Sequence, residues 1–300
     1  MIATARLVFV MLLWAVCFPL ITAGFSYAPH LTFAALRAFL SGGVLIIFGL
    51  ASGRPWPQGR KVWLMLVLIG LGATSFGYLG MFMAAEFVMP GLATVLANTQ
   101  PLLAAALAGL FLNENLGRIG WLGMCLGLGG ISLIALPQML AAPTGNFSLG
   151  LAYILMAVLG ITISNVLIRA IIGQVDLVMA MGAQLLIGGV PLAVGAMLFE
   201  HPGSVDWSAN FLLILFGLSL FGSSLAYLMW GAILRTWELS QANAFSFLVP
   251  AFGLAMGALF FGERIGWFEL AGIGLTLAGI LLANRDRTAQ VGEAHAEAEV

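Results

Sequence analysis

Charged side chains are scarce in this chain of 300 residues, in which Asp, Glu, Lys and Arg together make up only 8%. A soluble domain carries roughly a quarter of such residues. The formal net charge of -1 gives no basic excess, and the few basic residues are scattered, so a nucleic-acid-binding surface is not expected. Hydrophobic residues make up 62% of the chain. This composition excludes an ordinary soluble domain and indicates a membrane protein.

Residues for catalysis and metal binding are equally few. The two cysteines, Cys17 and Cys125, lie inside apolar runs, and we interpret them as small packing residues, not as a disulfide or a metal site. The three histidines fall outside the predicted spans, and there is no HExxH motif and no phosphate-binding glycine loop with lysine. We therefore expect no enzyme activity, no metal, no cofactor and no ATP-driven pump.

Long apolar runs are what the chain has in abundance. A membrane-spanning helix needs about 20 apolar residues, and turn and charge signals divide the chain into ten such segments. The sequence thus predicts an all-α membrane protein with ten transmembrane helices. The predicted spans are 6–26, 31–51, 62–84, 89–112, 118–137, 149–171, 176–199, 209–232, 238–261 and 265–284.

The chain also contains an internal repeat. Residues 101–133 align with residues 250–282 at a constant shift and without a gap, and the same shift carries Tyr78 onto Tyr227. Each unit has five spans, and an odd unit followed by itself enters the bilayer from the opposite side. Two inverted repeats with a substrate site between them are a common build of secondary transporters. The predicted parts are 1–137 (first repeat), 138–148 (linker), 149–284 (second repeat) and 285–300 (disordered cytoplasmic tail).

The orientation follows from where Lys and Arg lie, since these residues are enriched in cytoplasmic connections. The ends on the other side hold only Arg264, and Arg37 lies inside a span. Both termini are therefore predicted to be cytoplasmic. The ends on the cytoplasmic side hold Arg6, Arg54, Arg60, Lys61, Arg118, Arg169, Arg235, Arg285 and Arg287.

Two repeat-related prolines, Pro101 and Pro250, are predicted near the middle of spans four and nine. A proline there removes one backbone hydrogen bond and pushes on the carbonyl group four residues earlier. One interpretation is a pair of symmetric hinges that open polar backbone toward a cavity. The other is ordinary membrane-helix proline, whose freed carbonyl group is satisfied by neighbours. The symmetry favours the hinges.

Polar and aromatic side chains inside the spans are the predicted substrate-binding residues. Polar groups in hydrocarbon are costly unless they find partners or water, so each of them lines a cavity or bonds to a neighbouring helix. Both interpretations stay open at this stage. The set is Trp14, Arg37, Tyr78, Asn98, Gln100, Asn165, Tyr227, Asn243 and Ser246.

Three charged residues need separate treatment. Arg37 lies about two turns from the outer end of span two, where it could hold a substrate carboxylate, snorkel outward or pair with Glu86. The repeat mates Glu114 and Glu263 shortly precede the next helix, where a carboxylate favours the positive end of the helix dipole. We expect both glutamates to be structural.

The pattern resembles the EamA family of the drug/metabolite transporter superfamily over about residues 1–284. The resemblance rests on two five-helix halves, proline-bearing fourth spans, glycine-rich last helices, Arg37 in the second span and the Gly262-Glu263 turn, which becomes Asn113-Glu114 in the first half. It implies a transporter of the bacterial inner membrane that works by alternating access. The aromatic-rich middle spans look most like bacterial exporters of amino acids, including aromatic ones.

Several functions remain open on this basis. The expected activity is export of small metabolites, most of all aromatic or neutral amino acids, through a central cavity between the repeats. The alternatives are export of drugs or other metabolites by the same fold, a membrane channel, or a membrane-embedded enzyme. The expected partners are a small-molecule substrate and the lipid bilayer, with the protein a monomer or a weak homodimer. Neither the driving force nor the particular substrate follows from the sequence.

Overall fold

A computed structural model describes residues 2–84, 87, 97–112, 114, 116–139, 147–261 and 266–284. In these residues the chain forms helices and no strands. Its helical segments, with each interrupted helix counted once, are α1 (Ile2–Gly24), α2 (His30–Ala51), α3 (Arg60–Ala84), α4 (Gln100–Phe111), α5 (Gly117–Met139), α6 (Phe147–Ile171), α7 (Leu177–Phe199), α8 (Ala209–Ile233), α9 (239–261) and α10 (Trp267–Ala283).

Eight of these helices are long and apolar enough to cross a membrane, while α4 and α10 are shorter apolar helices. Their bounds follow the predicted spans closely, except that α1 begins at Ile2 and not at residue 6. For span four, the described part is α4, and residues 88–96 lie outside the described residues. Large apolar side chains face outward on several helices, among them Leu110, Met197 and Leu213. An all-helical protein with several membrane spans is therefore confirmed.

Helices α3 and α8 each contain a π-helical segment, Gly70–Phe76 in α3 and Leu218–Leu225 in α8. Such wide turns are rare and occur frequently at functional sites. Both segments are rich in glycine, serine and threonine, which lets neighbouring helices approach closely. A Cβ atom at Gly70 would lie 2.6 Å from the Gln184 carbonyl oxygen of α7. The π segments therefore bring small polar side chains against the adjacent helices.

The prolines lie differently from the prediction. Pro101 belongs to the first turn of α4, which begins at Gln100 after a turn at residues 98–99. In α9, a 3₁₀ segment over Phe245–Phe247 precedes the α-helical part, and Pro250 lies in the first turn of that part. Proline is tolerated in a first turn because its missing N–H group has no intrahelical partner there. The helix is thus interrupted just before each proline, and the expected mid-helix kink is wrong.

A glycine seam joins α5 to α10. A Cβ atom at Gly123 would lie 2.6 Å from the Gly279 carbonyl oxygen, and one at Gly130 would lie 2.6 Å from the Gly272 carbonyl oxygen. These backbones are in direct contact, so any larger side chain would have to force the helices apart. At these positions the glycine stripe of α5 packs against a helix of the same chain.

Two glutamates fix helix starts across the two halves of the chain. Glu200, after α7, accepts hydrogen bonds from the backbone N–H groups of Leu31 and Thr32 at 2.7 and 2.8 Å. Glu114, after α4, accepts from those of Leu239 and Ser240 at 2.8 and 3.0 Å. Glu114 was expected to stabilise the start of the next helix in the chain, α5. The structure shows that it caps the start of α9 instead. Carboxylates at helix starts stabilise the helix dipole by about 0.3–1 kcal/mol.

Candidate functional site

Arg37 lies inside the helix bundle with only 5% of its surface exposed. Its neighbours on the same face of α2, Ala34, Ala38 and Ser41, are fully buried, so this face packs against other helices. The guanidinium does not snorkel to the outer end of α2, and that interpretation is wrong. Glu86, the other predicted partner, lies outside the described residues.

The Arg37 side chain points at the π segment of α8. Its Nε donates to Ser223 Oγ at 2.9 Å, and its Nη2 makes longer contacts to the Gly222 carbonyl oxygen at 3.5 Å and to Cys17 Sγ at 3.6 Å. A Cβ atom on Gly222 would lie 3.4 Å from Arg37 Nη2 and would collide with Cys17 Sγ. A side chain at position 222 would therefore displace Cys17 from its place beside the guanidinium.

The two repeat-related tyrosines flank this guanidinium. The Arg37 guanidinium carbon lies 4.7 Å from the centre of the Tyr78 ring, a cation–π geometry. The Tyr78 hydroxyl shares a 2.9 Å hydrogen bond with Ser223 Oγ. Tyr227 follows Ser223 by about one turn of α8, and its hydroxyl interacts electrostatically with Arg37 and Tyr78. The structure thus brings together three predicted residues, Arg37, Tyr78 and Tyr227, around a serine that the sequence analysis missed.

Serines of α2 and α8 hold the backbone on either side of Arg37. Ser41 Oγ and Ser219 Oγ both donate to the Arg37 carbonyl oxygen, at 2.5 and 3.4 Å. Ser224 Oγ donates to the Ser41 carbonyl oxygen at 3.1 Å. The three serines of this network were not predicted from the sequence. The signal that could have found them is the run of glycine and serine within span eight.

A second group of predicted residues meets at Trp230. The Trp230 Nε1 donates to Asn165 Oδ1 at 3.1 Å, and its ring lies 5.4 Å from that of Trp14. Trp230 is fully buried although the sequence places it only between the middle and the end of span eight. Helices α1, α6 and α8 are therefore joined by one aromatic side chain.

A third group of predicted residues joins α4 to α9, the two helices that have a break just before a proline. The Gln100 Nε2 donates to Asn243 Oδ1 at 3.0 Å, linking α4 to α9. Asn243 in turn donates to the Leu239 carbonyl oxygen at 2.9 Å, and Ser246 Oγ donates to the Asn243 carbonyl oxygen at 2.7 Å. Asn98 lies buried just before α4. The Gln100–Asn243 hydrogen bond thus runs between two helices, beside the breaks in both.

Gln184 of α7 is a further buried amide that the sequence analysis missed. Its Oε1 accepts a 2.9 Å hydrogen bond from Thr74 Oγ1 in the π segment of α3. Its Nε2 is buried without a hydrogen-bond partner. An unpaired buried donor costs about 1–3 kcal/mol, so this amide is an unusual feature of the bundle.

Within the described part of the chain, no carboxylate forms an ion pair with the positively charged side chain of Arg37. The carboxylates found there in ion pairs lie elsewhere, Asp176 with Arg54 and Glu114 with Arg169. Among the described residues, the groups that contact the guanidinium are all neutral: the Tyr78 ring and hydroxyl, thiol and carbonyl groups. A guanidinium presents a planar fork of donors that matches a carboxylate in two parallel hydrogen bonds. The arrangement is thus suited to binding an anionic group.

The chain is similar to known proteins both in sequence and in fold. The chain is 32% identical over 260 residues to a WAT1-related chloroplastic protein of Arabidopsis thaliana, covering 84% of this chain and 62% of that protein. It is 30% identical over 284 residues to a probable amino-acid metabolite efflux pump of Salmonella typhimurium, covering 91% of each. A crystal structure with 20% sequence identity superposes with a TM-score of 0.78 and covers 94% of this chain and 96% of that one.

The chain also matches a known protein family. The EamA-like transporter family matches residues 2–136 and 148–285. These two stretches contain every helix described above except the last three residues of α5 and the first residue of α6. The resemblance to this family that the sequence suggested is therefore confirmed, and the chain belongs to the EamA-like transporter family.

Proposed function

We propose that this protein is a secondary transporter that exports small metabolites bearing a carboxylate, above all aromatic or neutral amino acids. The observation that carries the proposal is the buried guanidinium of Arg37, which no carboxylate of the described residues neutralises. Charged groups inside membrane helices are costly and mark substrate paths. A substrate carboxylate would replace the two long contacts of Nη2 with shorter, charge-assisted hydrogen bonds.

Alternating access between two inverted repeats is the mechanism we propose. It is supported by the π segments, which correspond under the repeat, and by the breaks before Pro101 and Pro250, which also correspond. Discontinuous helices near the midplane are typical of transporter substrate sites. In this mechanism the breaks act as hinges, and a single chain supplies the whole cavity. We therefore propose a monomer or weak homodimer.

The substrate class is supported by the aromatic side chains near Arg37. Tyr78 and Tyr227 flank the guanidinium, and Trp14 packs on Trp230. Aromatic walls favour apolar or aromatic side chains of a substrate, at about 1 kcal/mol per ring pair. The relative named as a probable amino-acid metabolite efflux pump supports the same class. The bacterial relative supports a location in the bacterial inner membrane, and the distribution of Lys and Arg supports termini in the cytoplasm.

The test is counterflow by purified protein in liposomes, with L-phenylalanine compared with L-phenylalaninamide, which lacks the carboxylate. We expect saturable exchange of L-phenylalanine that Arg37→Gln lowers by about tenfold or more, the worth of one charge-assisted hydrogen bond. Arg37→Lys keeps the charge but loses the planar fork, so it is expected to fall in between. The matched control is Arg54→Gln, because the Arg54 side chain is exposed and pairs with Asp176 away from Arg37.

Three results would contradict the proposal. Equal transport of the acid and the amide would show that no carboxylate is recognised, and would favour export of drugs or other metabolites. Flux that rises without saturation would indicate a channel. Full activity of folded Arg37→Gln would show that the guanidinium serves packing alone.

A further inference from the structure

We infer that Gln184 and Thr74 form a second polar half-site, equivalent to Arg37 and Ser223, which takes a hydrogen-bond-accepting oxygen of the transported molecule. The inference rests on the alternating-access function proposed above and names a residue that sets affinity at one face of the membrane. Hydrogen bonds that recur in the two halves of the chain support it, together with one buried donor that has no partner.

The first recurrent hydrogen bond fixes each π segment to the helix beside it. Ser75 Oγ of α3 donates to the Gly188 carbonyl oxygen of α7 at 2.7 Å. Ser224 Oγ of α8 donates to the Ser41 carbonyl oxygen of α2 at 3.1 Å. The two serines correspond under the shift that relates Tyr78 to Tyr227. The π segment of α3 therefore meets α7 in the same way as that of α8 meets α2.

The second recurrent hydrogen bond lies one residue earlier in each π segment. Thr74 Oγ1 donates to Gln184 Oε1, and Ser223 Oγ accepts from Arg37 Nε, both at 2.9 Å. Arg37 lies four residues before Ser41, and Gln184 lies four residues before Gly188. Gln184 is thus the structural counterpart of Arg37, with a neutral amide in place of the guanidinium.

The two half-sites differ in whether their N–H donors have hydrogen-bond partners. The guanidinium of Arg37 contacts Ser223, Gly222 and Cys17, whereas the Nε2 of Gln184 has no partner. A leucine would fill the same position without that cost. The free donor of a neutral amide suits a carbonyl or carboxylate oxygen and does not by itself select for charge.

The position of Gln184 predicts at which face it acts. Helices α2 and α7 are antiparallel, since Arg54 after α2 pairs with Asp176 before α7, and Glu200 after α7 caps the start of α2. Arg37 lies about two turns from the start of α2, and Gln184 lies about two turns from the start of α7. The two half-sites are therefore displaced toward opposite faces. With the termini cytoplasmic, Gln184 meets the substrate from the cytoplasm and Arg37 meets it on the outer side.

The experiment measures half-saturation for L-phenylalanine at each face of oriented proteoliposomes. We expect Gln184→Leu to raise the half-saturation concentration at the cytoplasmic face by about fivefold, the worth of one hydrogen bond, and to leave the outer face unchanged. Gln184→Leu removes the unpaired donor together with the Thr74–Gln184 hydrogen bond, so thermal unfolding without substrate serves to check that the variant is folded. The matched control is Thr276→Val, which removes another buried, unpartnered polar atom, in α10.

The outcomes separate this inference from the proposed function. Wild-type protein that moves no L-phenylalanine would contradict the function proposed above for that substrate. Saturable wild-type flux with an unchanged Gln184→Leu profile, or with equal changes at both faces, would overturn the second half-site alone.

Discussion

Charged and hydroxyl-bearing side chains inside the spans need partners, because a polar group in hydrocarbon is costly when it has none. Arg37, Tyr78 and Tyr227 were identified on that ground, and the structure places them in one group. Their central partner, Ser223, is 186 residues from Arg37 in the chain. Serine is an ordinary residue of membrane helices, so nothing local distinguishes Ser223. Only the packing of α8 against α2 selects it.

Trp230 offers a prediction at the same scale. Trp230→Phe keeps an aromatic ring beside Trp14 but leaves Asn165 Oδ1 without its donor in a buried position. We expect the free energy of unfolding in detergent to fall by about 1–3 kcal/mol. The measurement is equilibrium denaturation, with Trp267→Phe as the control because the Trp267 ring is 86% exposed.

A double variant checks that the loss comes from this hydrogen bond. In the Trp230→Phe background, Asn165→Leu is expected to cost little or even to restore stability, because the unpaired amide is removed. Additive losses in the double variant would show that the two side chains act independently and would contradict the assignment.

Whole elements were predicted well in extent and poorly in internal detail. Apolar length identifies a span, since the bilayer demands about 20 residues, and the observed bounds of α2, α7 and α8 follow the prediction. The π segments could not be predicted, because a wide turn is decided by tertiary packing against the next helix and not by local propensity. The breaks before Pro101 and Pro250 were read as kinks for the same reason.

The glycine seam between α5 and α10 gives the second prediction, at the scale of elements. A Cβ atom at Gly130 would lie 2.6 Å from the backbone of α10 at the Gly272 oxygen. That backbone cannot yield cheaply, so Gly130→Ala is expected to destabilise the protein by about 1–3 kcal/mol. The readout is the midpoint of thermal unfolding in detergent.

Gly274→Ala is the matched control within α10, because a Cβ atom there meets nothing within 4 Å. Alanine has a higher helix propensity than glycine by about 1 kcal/mol, so this variant is expected to be as stable as the wild type or more so. If the two substitutions lower the midpoint equally, the seam does not depend on close backbone contact.

At the scale of the whole molecule, the two halves of the chain are tied together at opposite ends. Glu200 of the second half caps α2, and Glu114 of the first half caps α9 while lying 3.9 Å from Arg169. Each carboxylate thus holds the start of a helix of the other half through backbone N–H groups. Such contacts suit two bodies that rock against each other, as the proposed mechanism requires.

Orientation in the membrane is the remaining whole-molecule property, and the distribution of Lys and Arg predicts it. The exposed loop after α2 carries Arg54, Arg60 and Lys61 near its ends, whereas the exposed loop after α7 has none. In a Cys125→Ser background, an impermeant maleimide applied to intact cells is expected to label Ser204→Cys and to leave Gln58→Cys unlabelled until the membrane is permeabilised. The reverse pattern would place the termini outside, and labelling of both positions would mean that charge does not fix a single orientation. Because nine basic residues lie on one side and one on the other, we expect Ser204→Cys to be labelled and Gln58→Cys to be protected.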